Sequence, residues 1–286
     1  RLKRMVQLIV KRVMADEARM LGLTTVRGYA DGDVTHAIHV CIFSVALGRR
    51  LGLTRLQLYD LGLAALFHDA GMARVSPDGR SKTGSRTGAG LAALGGHTWY
   101  GVLQLFQMRE QKEFPYRSMV VAYEHHLRDG AVGYPRPTMV QRPTFFSRIV
   151  AVAESYDAAV TPSAHCPRVP SPAVMMEELR RKVGLGLDPV VLKAVASMLG
   201  RWPVGTLVVL DSRELAIVVA ANGAPDLFSR PMVRVIADAE RELPFPGVLA
   251  DLSEHLPDGR FRRTVLATVD PEHYGIRVGD YFVGDD

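Results

Sequence analysis

Apolar positions recur every three to four residues through the first two-thirds of the chain. Leu2, Met5, Val6, Ile9, Val10 and Val13, with Lys and Arg between them, predict one amphipathic helix over residues 1–22. The same period predicts helices near 34–51, 56–68, 91–106, 118–126, 145–160, 173–183 and 189–198. Residues 72–90, rich in Gly, Ser and Thr, break the pattern as a basic loop carrying Arg74, Arg80, Lys82 and Arg86. A second break, TPSAHCPRVPSP from Thr161 to Pro172, holds too many prolines to be helical throughout. After Pro203 the pattern changes to β-branched runs, GTLVVLD, ELAIVVAAN, PMVRVIAD and FRRTVLATVD, separated by turn residues. The expected architecture is mainly α, a helical bundle with a small C-terminal β-rich appendage. Residues 1–23 form a leading helix or linker, 24–200 the helical domain and 203–286 the appendage.

Of 286 residues, 48% are hydrophobic and 23% charged, which excludes a disordered chain, a collagen and a coiled-coil rod. The net charge of +5 is modest for this length, so nucleic acid is not the expected partner. No apolar run approaches the roughly 18 to 20 residues that span a bilayer, and Cys41 and Cys166 form no Cys-x-x-Cys pair. A reducing cytoplasm is the expected location. The chain opens on Arg1 rather than Met, which hints at a piece of something longer, although trimming would look the same; an upstream sensory domain is one partner to expect.

Five of the nine histidines stand beside acids or one another in the helical region: His36, His68 before Asp69, His97, and the pair His125 and His126. Imidazole and carboxylate without thiolate suit Fe, Mn, Zn, Ni or Mg. A His followed directly by Asp offers one nitrogen ligand and one carboxylate able to bridge two cations. Neighbours on a helix point about 100° apart, so His125 and His126 could both serve only where a site wraps the end of their helix.

These motifs resemble the HD-GYP domain, a branch of the HD phosphohydrolase superfamily. The resemblance runs through LFHDAGM, GGHTWYG, HHLRDGAVGYP and RIVAVAESYDAA, and covers roughly residues 24–200. The separations also agree: 32 residues from His36 to His68, 29 to His97, 28 to His125, and 28 from His126 to Glu154. The resemblance implies hydrolysis of cyclic di-GMP to pGpG or GMP through a hydroxide shared by two divalent metal ions, Fe or Mn first, with Ni, Zn or Mg as alternatives. It implies that His36, His68, Asp69 and Glu154 hold one metal and that Asp69 bridges to a second held by His97, His125 and His126. His68 and Asp69 are the expected catalytic pair. Tyr134 of the GYP turn is expected either as a turn-former with an exposed ring or as a contact for substrate or a signalling partner, and Asp157 is expected to orient a ligand histidine or touch substrate.

The sequence departs from the family pattern at several of these positions, most often by losing a charge. Glu154 replaces the usual Asp, Gly32 stands where members with a third metal carry Glu, and Leu127 replaces a glutamate after the paired histidines. Met72, Ser163 and Cys166 occupy positions where the family carries phosphate-anchoring cations, and Lys82, Arg86 and Arg168, with Arg80, are candidate substitutes. His39, His165, His255 and His273 read as packing or surface. The expected function is therefore a metal-dependent phosphodiesterase acting on a cyclic dinucleotide or another phosphodiester. The rival is a degenerate signalling module that keeps the metals and works through protein contacts.

Overall fold

The computed structural model describes residues 2–24, 32–75, 95–107, 116–128, 133–135, 142–161, 172–183, 185–238 and 244–283. In chain order the helices are α1 (Leu2–Ala15), α2 (Glu17–Leu23), α3 (Gly32–Arg50), α4 (Arg55–Leu66), α5 (His97–Phe106), α6 (Tyr116–Glu124), α7 (Phe145–Val160), α8 (Pro172–Val183) and α9 (Pro189–Leu199). A 3-10 turn, Ala70–Arg74, follows α4. Strands β1 (Leu207–Leu210), β2 (Leu215–Ala220), β3 (Met232–Ala237), β4 (Val248–Asp251) and β5 (Val265–Thr268) come next, and a short α10 (Asp280–Val283) ends the described chain. The protein is mainly α with a small five-stranded sheet, as the periodicity predicts. It divides into two compact units, one of residues 1–11, 30–170 and 174–194, the other of residues 12–29, 171–173 and 195–286.

The first unit is built around α3 and α7. Residues Val40 to Gly48 of α3 and Ile149 to Ala153 of α7 are buried in unbroken runs, because each helix is packed on several sides rather than along one stripe. Helix α7 packs against α3, α4 and α6, with the Tyr156 ring meeting Phe43 edge-on at 4.5 Å. Thr54 and Gln57 close a capping box that fixes the start of α4. At the far end of α7, Asp188 accepts hydrogen bonds from the Val190 and Val191 amides at 2.8 and 3.2 Å and from the Arg148 guanidinium. One carboxylate thus ties α7 to the first turn of α9.

The second unit holds an antiparallel sheet in the order β4-β3-β2-β1-β5. Val208, Leu210, Ala216, Val218, Val233, Val235, Ala250 and Leu252 form its core, with Trp202 and Val265 packed against them.

Three sequence expectations need correction. The single helix over 1–22 is broken at Asp16, whose side chain accepts from the Arg19 amide at 2.9 Å and caps a new helix. The helix expected over 118–126 stops at Glu124, which frees His125 and His126 from helical geometry. Strand β4 was not expected: it has four residues, follows Pro-Phe-Pro-Gly, and exposes Val248 and Leu249 at a sheet edge, so it lacks a period-2 signature.

Candidate metal centre

Four segments carry the histidines and acids to one place in the first unit. Helix α3 supplies His36. The residues after α4 supply His68 and Asp69, the first turn of α5 supplies His97, and the turn after α6 supplies His125 and His126. Two glycines set this assembly. A Cβ on Gly71 would lie 1.9 Å from the His97 carbonyl oxygen, so only glycine lets the HD turn close on the start of α5. Gly133 has φ +93°, and a Cβ there would meet the His126 carbonyl oxygen at 2.1 Å. The GYP turn can therefore fold back, bridging Leu127 and donating the Tyr134 amide to His126 O at 3.3 Å. Glu124, the last residue of α6, ties that helix to the start of α7, accepting from the Thr144 amide and the Ser147 hydroxyl, both at 2.8 Å.

Asp69 stands at the centre. Its Oδ1 lies 3.2 Å from His97 Nε2 and 3.4 Å from His125 Nε2, and its Oδ2 lies 3.6 Å from His68 Nε2 and 4.0 Å from His36 Nε2. The donor atoms of Asp69, His97, His125 and His126 lie within 4.8 Å of one another, as do those of His36, His68 and Asp69, so both groups share Asp69. Glu154 belongs to neither group; its Oε1 stands 3.8 Å from His126 Nε2.

The outer partners decide which nitrogens face inward. His68 Nδ1 donates to Ala65 O at 2.7 Å, and His125 Nδ1 donates to the Ala122 and Val121 carbonyls at 3.0 and 3.1 Å. A carbonyl only accepts, so these rings carry their proton on Nδ1 and present the Nε2 lone pair to the centre. His36 Nδ1 donates to Asp157 Oδ2 at 2.6 Å, and His39 Nδ1 donates to Asp157 Oδ1 at 3.1 Å. His39 thus has a role that the reading as packing or surface omitted; the signal was its position one turn after His36 on the same helix.

The result is a buried pocket of electron pairs. His97 Nε2 and His125 Nε2 are 3.2 Å apart, and His68 Nε2, Asp69 Oδ1 and Glu154 Oε2 are buried without a hydrogen-bond partner. Burial pushes His126 down to about 3 and also lowers His68, which keeps both imidazoles neutral. Burial pushes the Asp69 and Glu154 carboxyls up, but the surrounding histidines override it and hold Asp69 well below the usual range and Glu154 below it too. For His36 the Asp157 carboxylate outweighs burial and raises the imidazole. Neutral imidazoles at His68 and His126 beside ionised carboxylates, with acceptor atoms facing one another, are a donor set that a hard or borderline cation satisfies.

The remaining predicted residues divide. Tyr134 packs its ring 4.4 Å from His126 and 5.9 Å from His97, and Met72 lies in the 3-10 turn. Lys82, Arg86, Arg168 and Arg80, with Ser163, His165 and Cys166, lie outside the described residues. His255 and His273 lie in the second unit, His255 stacked on Phe261 at 4.3 Å. Among the described residues no helix is long and apolar enough to cross a membrane.

No family model matches the chain. It is 28% identical over 233 residues to a cyclic di-GMP phosphodiesterase of Pseudomonas aeruginosa, covering 82% of this chain and 55% of that one. It is 25% identical over 172 residues to a 3'3'-cGAMP-specific phosphodiesterase of Vibrio cholerae, covering 59% of this chain and 35% of that one. It therefore spans only about a third to a half of these curated relatives. Among solved structures its fold is similar to that of an HDG"Y"P protein from Bdellovibrio bacteriovorus, with a TM-score of 0.55, 17% identity, and coverage of 68% of this chain and 60% of that one. Beside the HD dipeptide, the paired histidines and the GYP turn, these likenesses make the chain similar in sequence to cyclic dinucleotide phosphodiesterases and in fold to an HDG"Y"P protein.

Proposed function

We propose that this chain is a metal-dependent phosphodiesterase that hydrolyses a cyclic dinucleotide. The observation that carries the reading is Asp69, whose two oxygens serve two groups of inward-facing imidazole nitrogens with buried, unpartnered acceptors between them. His97, His125, His126 and Asp69 would hold one cation, and His36, His68 and Asp69 a second, with Glu154 completing the shell. Bound there, divalent cations would supply Lewis acidity at the phosphoryl group and an acidified water.

The chain's own residues do the positioning. Asp157 holds His36 by its Nδ1, the Ala65 carbonyl holds His68, and the Ala122 and Val121 carbonyls hold His125, so the ligand rings are aimed before any cation arrives. The burial of His68, His97 and His125 excludes bulk water from their side of the cluster, while Asp69, 29% exposed, leaves the other side open to a ligand. No side chain is needed as a nucleophile. Cyclic dinucleotides are the substrate class because both curated relatives described above carry such names.

Elemental analysis combined with two hydrolysis assays tests the reading. The metal-loaded chain should cleave bis(p-nitrophenyl) phosphate and cyclic di-GMP, and His68→Ala and Asp69→Ala should lose both metal and turnover. A chain that is fully loaded yet inert toward both substrates would instead be the signalling module.

A further inference from the structure

Arg128 follows the paired histidines by two residues, and no sequence expectation assigned it a role. Its Nη1 donates to His125 O at 2.6 Å and to Leu127 O at 3.0 Å, so one arm is clamped to the backbone of the turn that carries His125 and His126. Its stem runs beside Gly133, where a Cβ would lie 3.4 Å from Arg128 Cγ. A guanidinium is planar, so clamping one nitrogen fixes where Nε and Nη2 point. Those two nitrogens have no hydrogen-bond partner among the described residues, and no carboxylate there lies within ion-pair distance of them. Glu154 and Tyr134 are close enough to favour its charge electrostatically against the burial that opposes it.

A half-buried, pre-oriented cation with a free edge is a receptor for an oxyanion. It sits on the ligand-bearing turn, within electrostatic reach of Tyr134, whose ring packs on His126. We propose that Arg128 anchors a phosphate of the substrate beside the histidine–aspartate cluster and so determines which phosphodiesters this site retains. The proposal rests on the phosphodiesterase reading above.

The test is calorimetric titration of inorganic phosphate into the Mn-loaded chain, with Mn content measured alongside. Arg128→Gln should keep its Mn and bind phosphate at least about tenfold more weakly, the size of one lost charge-assisted contact. Arg128→Lys keeps the charge but cannot both grip the carbonyls and present a second edge, so it should bind phosphate at least about threefold more weakly. Wild-type phosphate affinity in a fully Mn-loaded Arg128→Gln overturns the proposal. Should Arg128→Gln shed its Mn, Arg128→Lys decides: Mn-loaded with weakened phosphate binding supports the assignment. A Lys variant that sheds Mn, or holds it and binds phosphate as wild type does, overturns it. A wild type that holds no metal and cleaves no phosphodiester removes the parent reading as well. A loaded, active wild type whose phosphate affinity ignores Arg128 removes only this one.

Discussion

Asp157→Asn is the most informative single change, because it keeps the shape of a buried side chain and alters only what it can accept. Asp157 is 3% exposed and takes hydrogen bonds from His36 Nδ1 at 2.6 Å and His39 Nδ1 at 3.1 Å. An asparagine offers one acceptor oxygen, so its amide faces the N–H of the other ring. One imidazole must lose its bond or move its proton to Nε2, and if that ring is His36 its inward lone pair is gone. A hydrogen bond to a charged group contributes about 1.5 to 3 kcal/mol, which is about 10- to 100-fold in an equilibrium constant. Loss of such an outer partner typically lowers metal affinity by the same about 10- to 100-fold. Competition against a chelator of known Mn affinity measures it, with circular dichroism as a check on folding. His39→Phe, which leaves the 2.6 Å bond to His36 intact, should weaken Mn binding much less. A folded Asp157→Asn chain with wild-type Mn affinity would refute the argument that the carboxylate fixes His36.

Three further changes probe other parts of the first unit. Gly71→Ala drives a methyl to 1.9 Å from the His97 carbonyl oxygen and should destabilise by about 3 kcal/mol or more, read as a lowered melting temperature together with lost metal. Cys41 is fully buried and burial pushes its thiol up to about 12, so in a Cys166→Ser background the native chain should resist a thiol reagent that labels it fully after denaturation. Burial raises the Asp188 carboxyl, but the Val191 amide, Arg148 and the Val190 amide outweigh it and hold the carboxyl below its ordinary value. A depressed native pKa stabilises above the unfolded value of about 3.9 and is lost as pH falls through the native one. Urea unfolding should therefore show Asp188→Asn less stable than wild type at pH 7, by about 1 to 3 kcal/mol, with the gap closing below about pH 4.

That His36, His68, Asp69, His97, His125 and His126 would gather in one place was legible in the sequence, because most of them sit in short motifs carried by regular helices. His68 and Asp69 are adjacent, and His125 and His126 needed only a helix end, which Glu124 provides. Asp157 was expected to orient a ligand histidine or touch substrate, but which histidines it would meet was not legible. Asp157 meets His36 and His39 at separations of 121 and 118 residues, and hydrophobic period carries no information about such contacts. Helix α2 joins the second unit for the same kind of reason: Gly22 lies against the Phe282 ring, where a Cβ would approach to 2.1 Å. Arg128 was missed because its meaning lies in the carbonyls it grips, and those face it only once the turn after α6 has formed.

The cluster also works against the stability of the chain that holds it. A buried polar atom without a partner costs about 1 to 3 kcal/mol, and His68 Nε2, Asp69 Oδ1 and Glu154 Oε2 are three of them. Their combined cost is comparable with the whole stability of an ordinary domain, about 5 to 15 kcal/mol. Apolar side chains of similar volume would pack the same space with no such penalty, as replacements of buried polar groups often do. The fold does the opposite and invests further structure in keeping the pairs exposed to one another. Three backbone carbonyls and Asp157 hold the rings in the tautomer that points Nε2 inward, and glycines at 71 and 133 let the segments approach. An arrangement kept against packing, with its protons directed outward, fits a site whose missing stabilisation arrives with a cation.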